Sequence, residues 1–513
     1  MKGGNGQGRA LDVSDPYYIT TAISYPNGAP HIGHAYEAIA ADVIARFQRS
    51  LGRDVRFQTG TDEHGLKMAQ AARAEGVDPP AFADKMSRLF QEMCDRLEVS
   101  YDRFIRTSEP AHHRASQAIW TAMEERGDLY LDSYEGWYSV RDEAYYEPEE
   151  LTTAEDGTKL SPQGTPVEWV EEESWFFRLS AYQQKLLDHY SANPGFIQPD
   201  SRRNEVVRFV EGGLRDLSIS RTSFNWGVPV PGSNRHVMYV WLDALTNYIT
   251  GLGYPDKTEL WDRYWPADVH LIGKDVVRFH AVYWPAFLMS AGIELPKQVY
   301  GHGFLLSRGE KMSKSIGNVV DPLVLADRFG VDQLRYFLMR EVTFGQDGTY
   351  SPEAIVNRVN AELANSFGNL AQRTLSMIHK NLDGVIPAVG EHQDDSGLLA
   401  RVDSSIAELN SRFGEFAFSQ GLEAWMAAVF ACNAYIDAAA PWALRKTDPQ
   451  RMADVLGTLV MAIRKLAASV LPVIPASAQK LIDAVDAGLN GGLDQPVPVF
   501  PRLELPEEDG EAA

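Results

Sequence analysis

Apolar positions at the start of the chain change period once and then change back. From Tyr17 to Ser24 the run YYITTAIS is β-rich, the turn residues YPNGAP follow, and apolar Ile32, Tyr36, Ile39, Val43 and Phe47 then recur at spacings of four, three, four and four. This pattern predicts a strand, a tight turn and a helix with one apolar stripe. The segment DVRFQT (54–59) predicts a second strand, which leads through the loop GTDEHG into another helix. The opening therefore reads βαβα and favours a parallel sheet, whose ligands sit at the strand C-termini.

Near residue 130 the regularity stops. Residues 141–173 hold eleven acidic residues against Arg141 and Lys159, with short β-like pieces and several Pro and Gly, and read as an insertion packed on the sheet. Alternating patterning returns at HVMYVWLDAL (236–245), DVHLIGKDVVRFH (268–280) and QVYGHGFLL (298–306), so the sheet is split in sequence. After Tyr350 strand signals give way to amphipathic helical patterns at 352–382, 398–413, 421–440, 448–471 and 476–487, which predict a separate helix bundle. The expected division is a lead at 1–15, an α/β domain in two halves at 16–125 and 236–300, and an insertion at 126–235 between them. A connecting fold at 301–350, the bundle at 351–490 and a tail at 491–513 complete it.

A length of 513 residues fits about three domains at ~150 residues each. The formal net charge of −22 argues at face value against a nucleic-acid partner, because phosphate binding is carried by Lys and Arg. Much of the excess, however, lies in the insertion and in 491–513, where six acidic residues stand against Arg502. Residues 202–221 carry five Arg against three acids, and 301–340 carry six basic residues against four acidic ones. An arginine-bearing face able to meet nucleic-acid phosphates is expected there. The two cysteines, Cys94 and Cys432, exclude a disulfide framework and a cysteine zinc site and fit a reducing compartment. MKGGNGQGRALDVSD lacks the apolar core of a signal peptide, and Arg464 and Lys465 interrupt the most apolar late stretch, so a cytoplasmic protein without a membrane span is expected.

Two motifs carry chemistry. His31-Ile32-Gly33-His34 falls where the first strand turns into the first helix. Two imidazoles three apart, free backbone donors and the positive helix end can address phosphate oxygens, and Gly33 lets a flat group approach the backbone. Lys311-Met312-Ser313-Lys314-Ser315, with Gly317, follows the strand GFLL, and its two ammonium groups can clamp a polyphosphate as charge moves onto pyrophosphate. Each motif alone is also an ordinary feature, a pair of helix-start histidines or a solvated basic loop. Together, in this order and each on a βα loop, they are far more specific.

HIGH followed by KMSKS resembles the catalytic core of the class I aminoacyl-tRNA synthetases. The segments AISYPNGAPHIGH, GTDEHG, YVWLDAL and IGKDVVRFH, and NLAQR and APW in the helical part, are similar to the methionyl-tRNA synthetases. The likeness runs from about Tyr17 to residue 490. It implies an α/β fold with a class I synthetase Rossmann-type parallel sheet, split by an inserted connective domain and followed by an all-α anticodon-binding helix bundle. It also implies activation of L-methionine by ATP with Mg2+ and transfer of the methionyl group to tRNA(Met), initiator and elongator.

The residues implied by this resemblance follow from the matched motifs. His31, His34, Lys311 and Lys314 are the implied catalytic groups; these four bind ATP together with Gly33, Gly273 and Asp275. Asp62 receives the α-ammonium, and Ala22, Ile23, Tyr25, Trp241, Ala244, Leu245, Tyr248, Val276 and His280 form the side-chain pocket. Such an aliphatic and aromatic pocket suits a flexible thioether, with Tyr25 and His280 near the sulfur. Leu245 stands where family members carry Pro. Asn369, Arg373 and Trp442 are the implied anticodon contacts, for the triplet CAU. Taken by themselves, Trp241 and Tyr248 would read as plain core, and the three helical residues as a polar face and a buried indole.

Many relatives carry a cysteine-rich zinc knuckle in the insertion; this chain has no Cys there, so no structural zinc is expected. The Ile, Val and Leu enzymes carry an editing insertion of ~200 residues that has no room here. With no appended domain after residue 490, a monomer is expected. The competing readings are a HIGH-type nucleotidyltransferase, another small class I synthetase, and a non-catalytic tRNA-binding paralogue.

Overall fold

The computed structural model describes residues 15–142, 144–256, 258–307, 309 and 319–505. Contacts divide the chain into two compact units, 1–41, 48–95 and 99–302 in one, and 42–47, 96–98 and 303–513 in the other.

The first unit is built on a six-stranded, wholly parallel sheet. Its central pair is Pro16–Thr21 beside Val269–Gly273; Asp54–Thr61 and Arg103–Arg106 extend it on one side, Val299–His302 and Ile197–Gln198 on the other. Tyr18 and Ile19 on the central strand are fully buried, as expected where both faces of a parallel sheet are covered. The chain winds outward from Pro16–Thr21 to Arg103–Arg106 in one direction and from Val269–Gly273 to Val299–His302 in the other, with Ile197–Gln198 added at that edge. The crevice beyond these two strand ends is a topological switch point, the place where open α/β sheets bind ligands.

Local chemistry explains where the elements begin and stop. The first helix, Ile32–Ser50, buries Ile32, Tyr36, Ile39, Val43 and Phe47 as the spacing predicts. The second strand runs two residues beyond its expected end and takes in Gly60, which the sequence reading placed in the loop. A Cβ at Gly60 would lie 2.0 Å from the Ile105 carbonyl oxygen, so this glycine permits close strand approach. QVYGHGFLL holds two strands: Val299–His302 in the main sheet and Leu305–Ser307, which pairs with Gly348–Tyr350. The break falls at Gly303, where a Cβ would meet the Gln346 backbone at 2.2 Å.

The insertion contains a long antiparallel pair, Leu129–Ser139 with Glu168–Phe177, in register from Leu129 opposite Phe177 to Tyr138 opposite Glu168. The sequence reading expected only short β-like pieces, because the acidic run Glu171–Glu173 hides the period of two. At the far end of the pair Asp142 gathers hydroxyls: Thr165, Ser161 and Tyr146 donate to Oδ2 at 2.5, 2.8 and 3.0 Å, and the Asp142 amide donates to Ser139 Oγ. Burial pushes this carboxyl up, but the surrounding donors outweigh it and hold the pKa below the usual range. One carboxylate saturated by hydroxyl donors is not a zinc ligand set. Among the described residues no group of three His, Cys, Asp or Glu is placed to hold a metal.

The second unit is mainly helical. Pro352–Arg358 continues through a π-helical stretch, Val359–Gly368, into Asn369–Asn381; Gln393–Gly414, Phe418–Ala439, Pro441–Thr447, Pro449–Val470 and Pro475–Leu489 follow. Proline opens four of these helices, where its missing N–H costs nothing. Within this unit Arg335 is completely buried, held by the Asp42 carboxylate at 2.5 Å and by the carbonyls of Leu97, Pro472 and Val473. Among the described residues no helix is long and apolar enough to cross a membrane.

Candidate active site

The loop leaving the central strand is stitched to its neighbours by backbone bonds. The Ala22 amide donates to Leu271 O, Ser24 to Gly60 O, and Asp62 to Ser24 O, at 3.0, 3.0 and 2.8 Å. Residues 22–25 and 60–62 therefore form one rigid rim at the switch point, with Gly273–Asp275 following the adjacent strand.

On this rim the rings of His31 and His34 stack with centroids 3.8 Å apart. The Gly33 amide donates to His31 Nδ1 and the His31 amide to His34 Nδ1, both at 3.1 Å. With each Nδ1 accepting, the proton of each ring resides on Nε2, which makes both imidazoles N–H donors suited to phosphate oxygens. A Cβ at Gly33 would lie 2.9 Å from His31 Cε1, so the space this glycine leaves is taken by the histidine ring rather than held open for a base.

Glu37 and His302 were missed by the sequence reading. Glu37 lies one turn beyond His34, and its carboxylate accepts from His302 Nε2 at 2.8 Å. Burial raises the Glu37 pKa; the His302 bond opposes this, the nearby Asp275 charge adds to it, and a bond to the Gly273 backbone opposes it. Glu37 thus sits beside Gly273 and Asp275, where Asp275 Oδ1 would be 2.7 Å from a Cβ on residue 273. The available signal was a glutamate three residues after His34 on the same helix face.

The pocket residues come together around one hydrogen bond. His280 lies in a π-helical turn, Phe279–Tyr283, a form common at functional sites. Its Nδ1–H donates to Val276 O at 2.9 Å, so Nε2 accepts from the Tyr248 hydroxyl at 2.6 Å. Burial pushes the His280 pKa down to about 4, and the ring is neutral at physiological pH. Trp241 stacks on Phe279 at 3.7 Å, and Ala22, Tyr25, Trp241, Leu245, Tyr248 and Val276 share one apolar cluster. Ala244 is buried on the same helix, and Ile23 is half-buried on the 22–25 rim. The Tyr25 hydroxyl accepts from the Met68 amide at 3.3 Å.

Asp62 is 7% exposed in a loop whose next residue is firmly clamped. Glu63 accepts from Arg106 Nε at 2.7 Å, Ser108 Oγ at 2.5 Å and Thr61 Oγ1 at 2.8 Å, while its carbonyl accepts from Trp226 Nε1 at 2.5 Å. In the helical unit Asn369 is exposed at the start of Asn369–Asn381. One turn on, the Arg373 guanidinium lies 5.3 Å over the Trp442 ring and donates to Asp437 Oδ1 at 3.0 Å. Trp442 is 49% exposed, so the buried-indole reading is set aside. Lys311 and Lys314 lie outside the described residues.

Of the arginines expected to form a face at 202–221, Arg221 is buried and two are ion-paired at the surface. Arg215 pairs with Glu147, Arg202 with Glu205, and Arg221 is buried, its guanidinium 4.5 Å over Tyr239.

The family model described as tRNA synthetases class I (M) matches residues 17–375, and that for the anticodon binding domain of methionyl tRNA ligase matches residues 386–494. The methionine–tRNA ligase of Brucella suis biovar 1 (strain 1330) is 59% identical over 510 residues, covering 96% of this chain and 99% of that protein. That of Rhizobium meliloti (strain 1021) is 57% identical over 512 residues, with coverage of 96% and 99%. Mycobacterium tuberculosis methionyl-tRNA synthetase in complex with methionyl-adenylate superposes with a TM-score of 0.92 at 55% identity, over 95% of this chain and 100% of that one. Its free form gives 0.84 at 51% identity, over 96% and 99%. Likeness of this extent, through the sheet, its insertion and the helices alike, is not that of a nucleotidyltransferase sharing the first half alone: the chain belongs to the methionyl-tRNA synthetases of class I.

Proposed function

We infer that the protein activates L-methionine with ATP, giving methionyl-adenylate and pyrophosphate, and then passes the methionyl group to the 3′-terminal adenosine of tRNA(Met). The observation that carries this reading is the neutral His280–Tyr248 pair in an aromatic pocket that shares Ala22 and Tyr25 with the rim bearing Asp62. The complex of the Mycobacterium tuberculosis relative with methionyl-adenylate supports it.

In this mechanism the methionine carboxylate attacks the α-phosphorus of ATP and pyrophosphate leaves. Asp62 receives the α-ammonium through a charge-assisted bond. Ala22, Ile23, Tyr25, Trp241, Ala244, Leu245, Val276 and His280 surround the side chain. The Nε2–H groups of His31 and His34 donate to phosphate oxygens, and Gly273 and Asp275 flank the nucleoside. Lys311 and Lys314 take the charge developing on the leaving pyrophosphate. Positioning and charge stabilisation suffice, with no covalent enzyme intermediate. Magnesium accompanies ATP and neutralises part of its triphosphate charge. Asn369, Arg373 and Trp442 read the CAU anticodon of initiator and elongator tRNA alike, and the enzyme acts as a cytoplasmic monomer.

Amino-acid-dependent pyrophosphate exchange tests the reading: methionine supports exchange and other amino acids do not. In the same assay Lys314→Ala slows adenylate formation far more than it weakens methionine binding. Exchange with a different amino acid overturns the specificity; a raised methionine KM as the sole effect of Lys314→Ala overturns that residue's role.

A further inference from the structure

Beneath the 62–64 loop lies a polar cluster outside the groups used above. Asp243, fully buried on the helix Val240–Thr250, directs one oxygen to each of two imidazoles: Oδ2 is 2.7 Å from His64 Nδ1 and Oδ1 is 2.7 Å from His112 Nε2. His64 and His112 are also closed off from solvent. His112 Nδ1 lies 3.0 Å from Thr250 Oγ1, whose hydroxyl donates to Thr246 O one turn back on the helix that carries Asp243. Ser116 Oγ approaches His112 Nε2 at 3.3 Å, and the rings of Trp226 and His113 close over His64 edge-on.

A carboxylate in such surroundings is tolerated only while its oxygens are hydrogen-bonded, so this connection resists stretching. Its two ends are informative. The helix bearing Asp243 also bears Trp241, Ala244, Leu245 and Tyr248, one wall of the thioether pocket, while His64 follows Asp62 by two residues. Between them Glu63 is locked by its own ionic bonds, so little slack separates His64 from Asp62.

We propose that Asp243, acting through His64, is a positioning residue that fixes the span between Asp62 and the side-chain pocket, so that the site selects its amino acid by length. This rests on the reading of Asp62 as the ammonium partner. One methylene distinguishes substrates by ~1–3 kcal/mol when a pocket is held rigid, and a site whose two ends move apart loses that distinction.

Pyrophosphate exchange with L-methionine and with L-ethionine, longer by one methylene, tests the proposal, with rates expressed per active site. In Asp243→Asn and His64→Ala the methionine KM rises about tenfold and the methionine-over-ethionine preference in kcat/KM falls about tenfold, while the ATP KM stays within about twofold. His64→Asn, whose side-chain amide can take the place of the Nδ1–H donor, retains both the KM and the preference. Thermal melting identifies a variant that fails to fold, and His64→Ala, which leaves the Asp243–His112 bond in place, carries the test if Asp243→Asn does. An unchanged methionine KM and preference in the folded variants, with or without lost stability, overturns the proposal when Asp62→Asn still raises the methionine KM. If Asp62→Asn leaves that KM unchanged too, the ammonium reading falls and takes the span with it.

Discussion

The Tyr248 hydroxyl donates to His280 Nε2 across 2.6 Å, and because His280 Nδ1 is committed to Val276 O, neither ring can turn without stranding a buried polar group. The pocket floor is therefore polar in composition yet neutral and internally satisfied, which suits a thioether better than a charged or strongly hydrogen-bonding side chain.

Removing one partner exposes this coupling. Tyr248→Phe leaves His280 Nε2 without its donor at a cost of ~1–3 kcal/mol. We expect a methionine KM raised about tenfold with the ATP KM unchanged, measured by pyrophosphate exchange.

The depressed His280 pKa, about 4 against an ordinary value near 6.5, has a definite sign in its effect on stability. Between these values the unfolded chain takes up a proton that the native site refuses, so the contribution is complete above pH ~6.5 and is lost as pH falls toward ~4. His113, lowered to about 4 mainly by burial, acts in the same direction. Melting temperatures should fall across this window, and His280→Gln should reduce the slope; an unchanged slope in a folded variant counts against a neutral buried imidazole.

Arg373 is held between Asp437 and the Trp442 ring, remote in sequence from the adenylate-forming residues. Arg373→Ala and Trp442→Ala should each weaken tRNA charging by ~1–3 kcal/mol while leaving pyrophosphate exchange untouched. Parallel assays of the two half-reactions check this, and equal loss in both would contradict an anticodon role.

The Asp142 cluster predicts indifference to chelators. Prolonged treatment with a strong zinc chelator should leave the melting temperature unchanged, whereas Asp142→Ala, which deprives Thr165, Ser161 and Tyr146 of their acceptor, should destabilise the insertion by ~1–3 kcal/mol. A chelator-induced drop in melting temperature would argue for a bound metal.

Periodicity made the βα elements around His31 and the helices after Pro352 legible, because both depend on local apolar spacing. It failed where a glycine does something other than turn: Gly60 lies inside a strand. It failed again at Leu129–Ser139, which is held by cross-strand pairing that no local pattern announces. The Glu37–His302 pair and the Asp243–His64–His112 cluster were not readable, because they join positions far apart in the chain. The arginines of 202–221 show the converse: a count of charges does not reveal that Arg221 is buried against Tyr239.

The adjacency of Pro16–Thr21 and Val269–Gly273 has a consequence during synthesis. Ile19 pairs with Val269, a partner made 250 residues later, at a delay of roughly 12–50 s at ordinary elongation rates. Until then the nascent chain carries His31 and His34 with one side of their crevice missing. A ribosome stalled anywhere in the insertion holds a polypeptide with half a sheet and an open central edge.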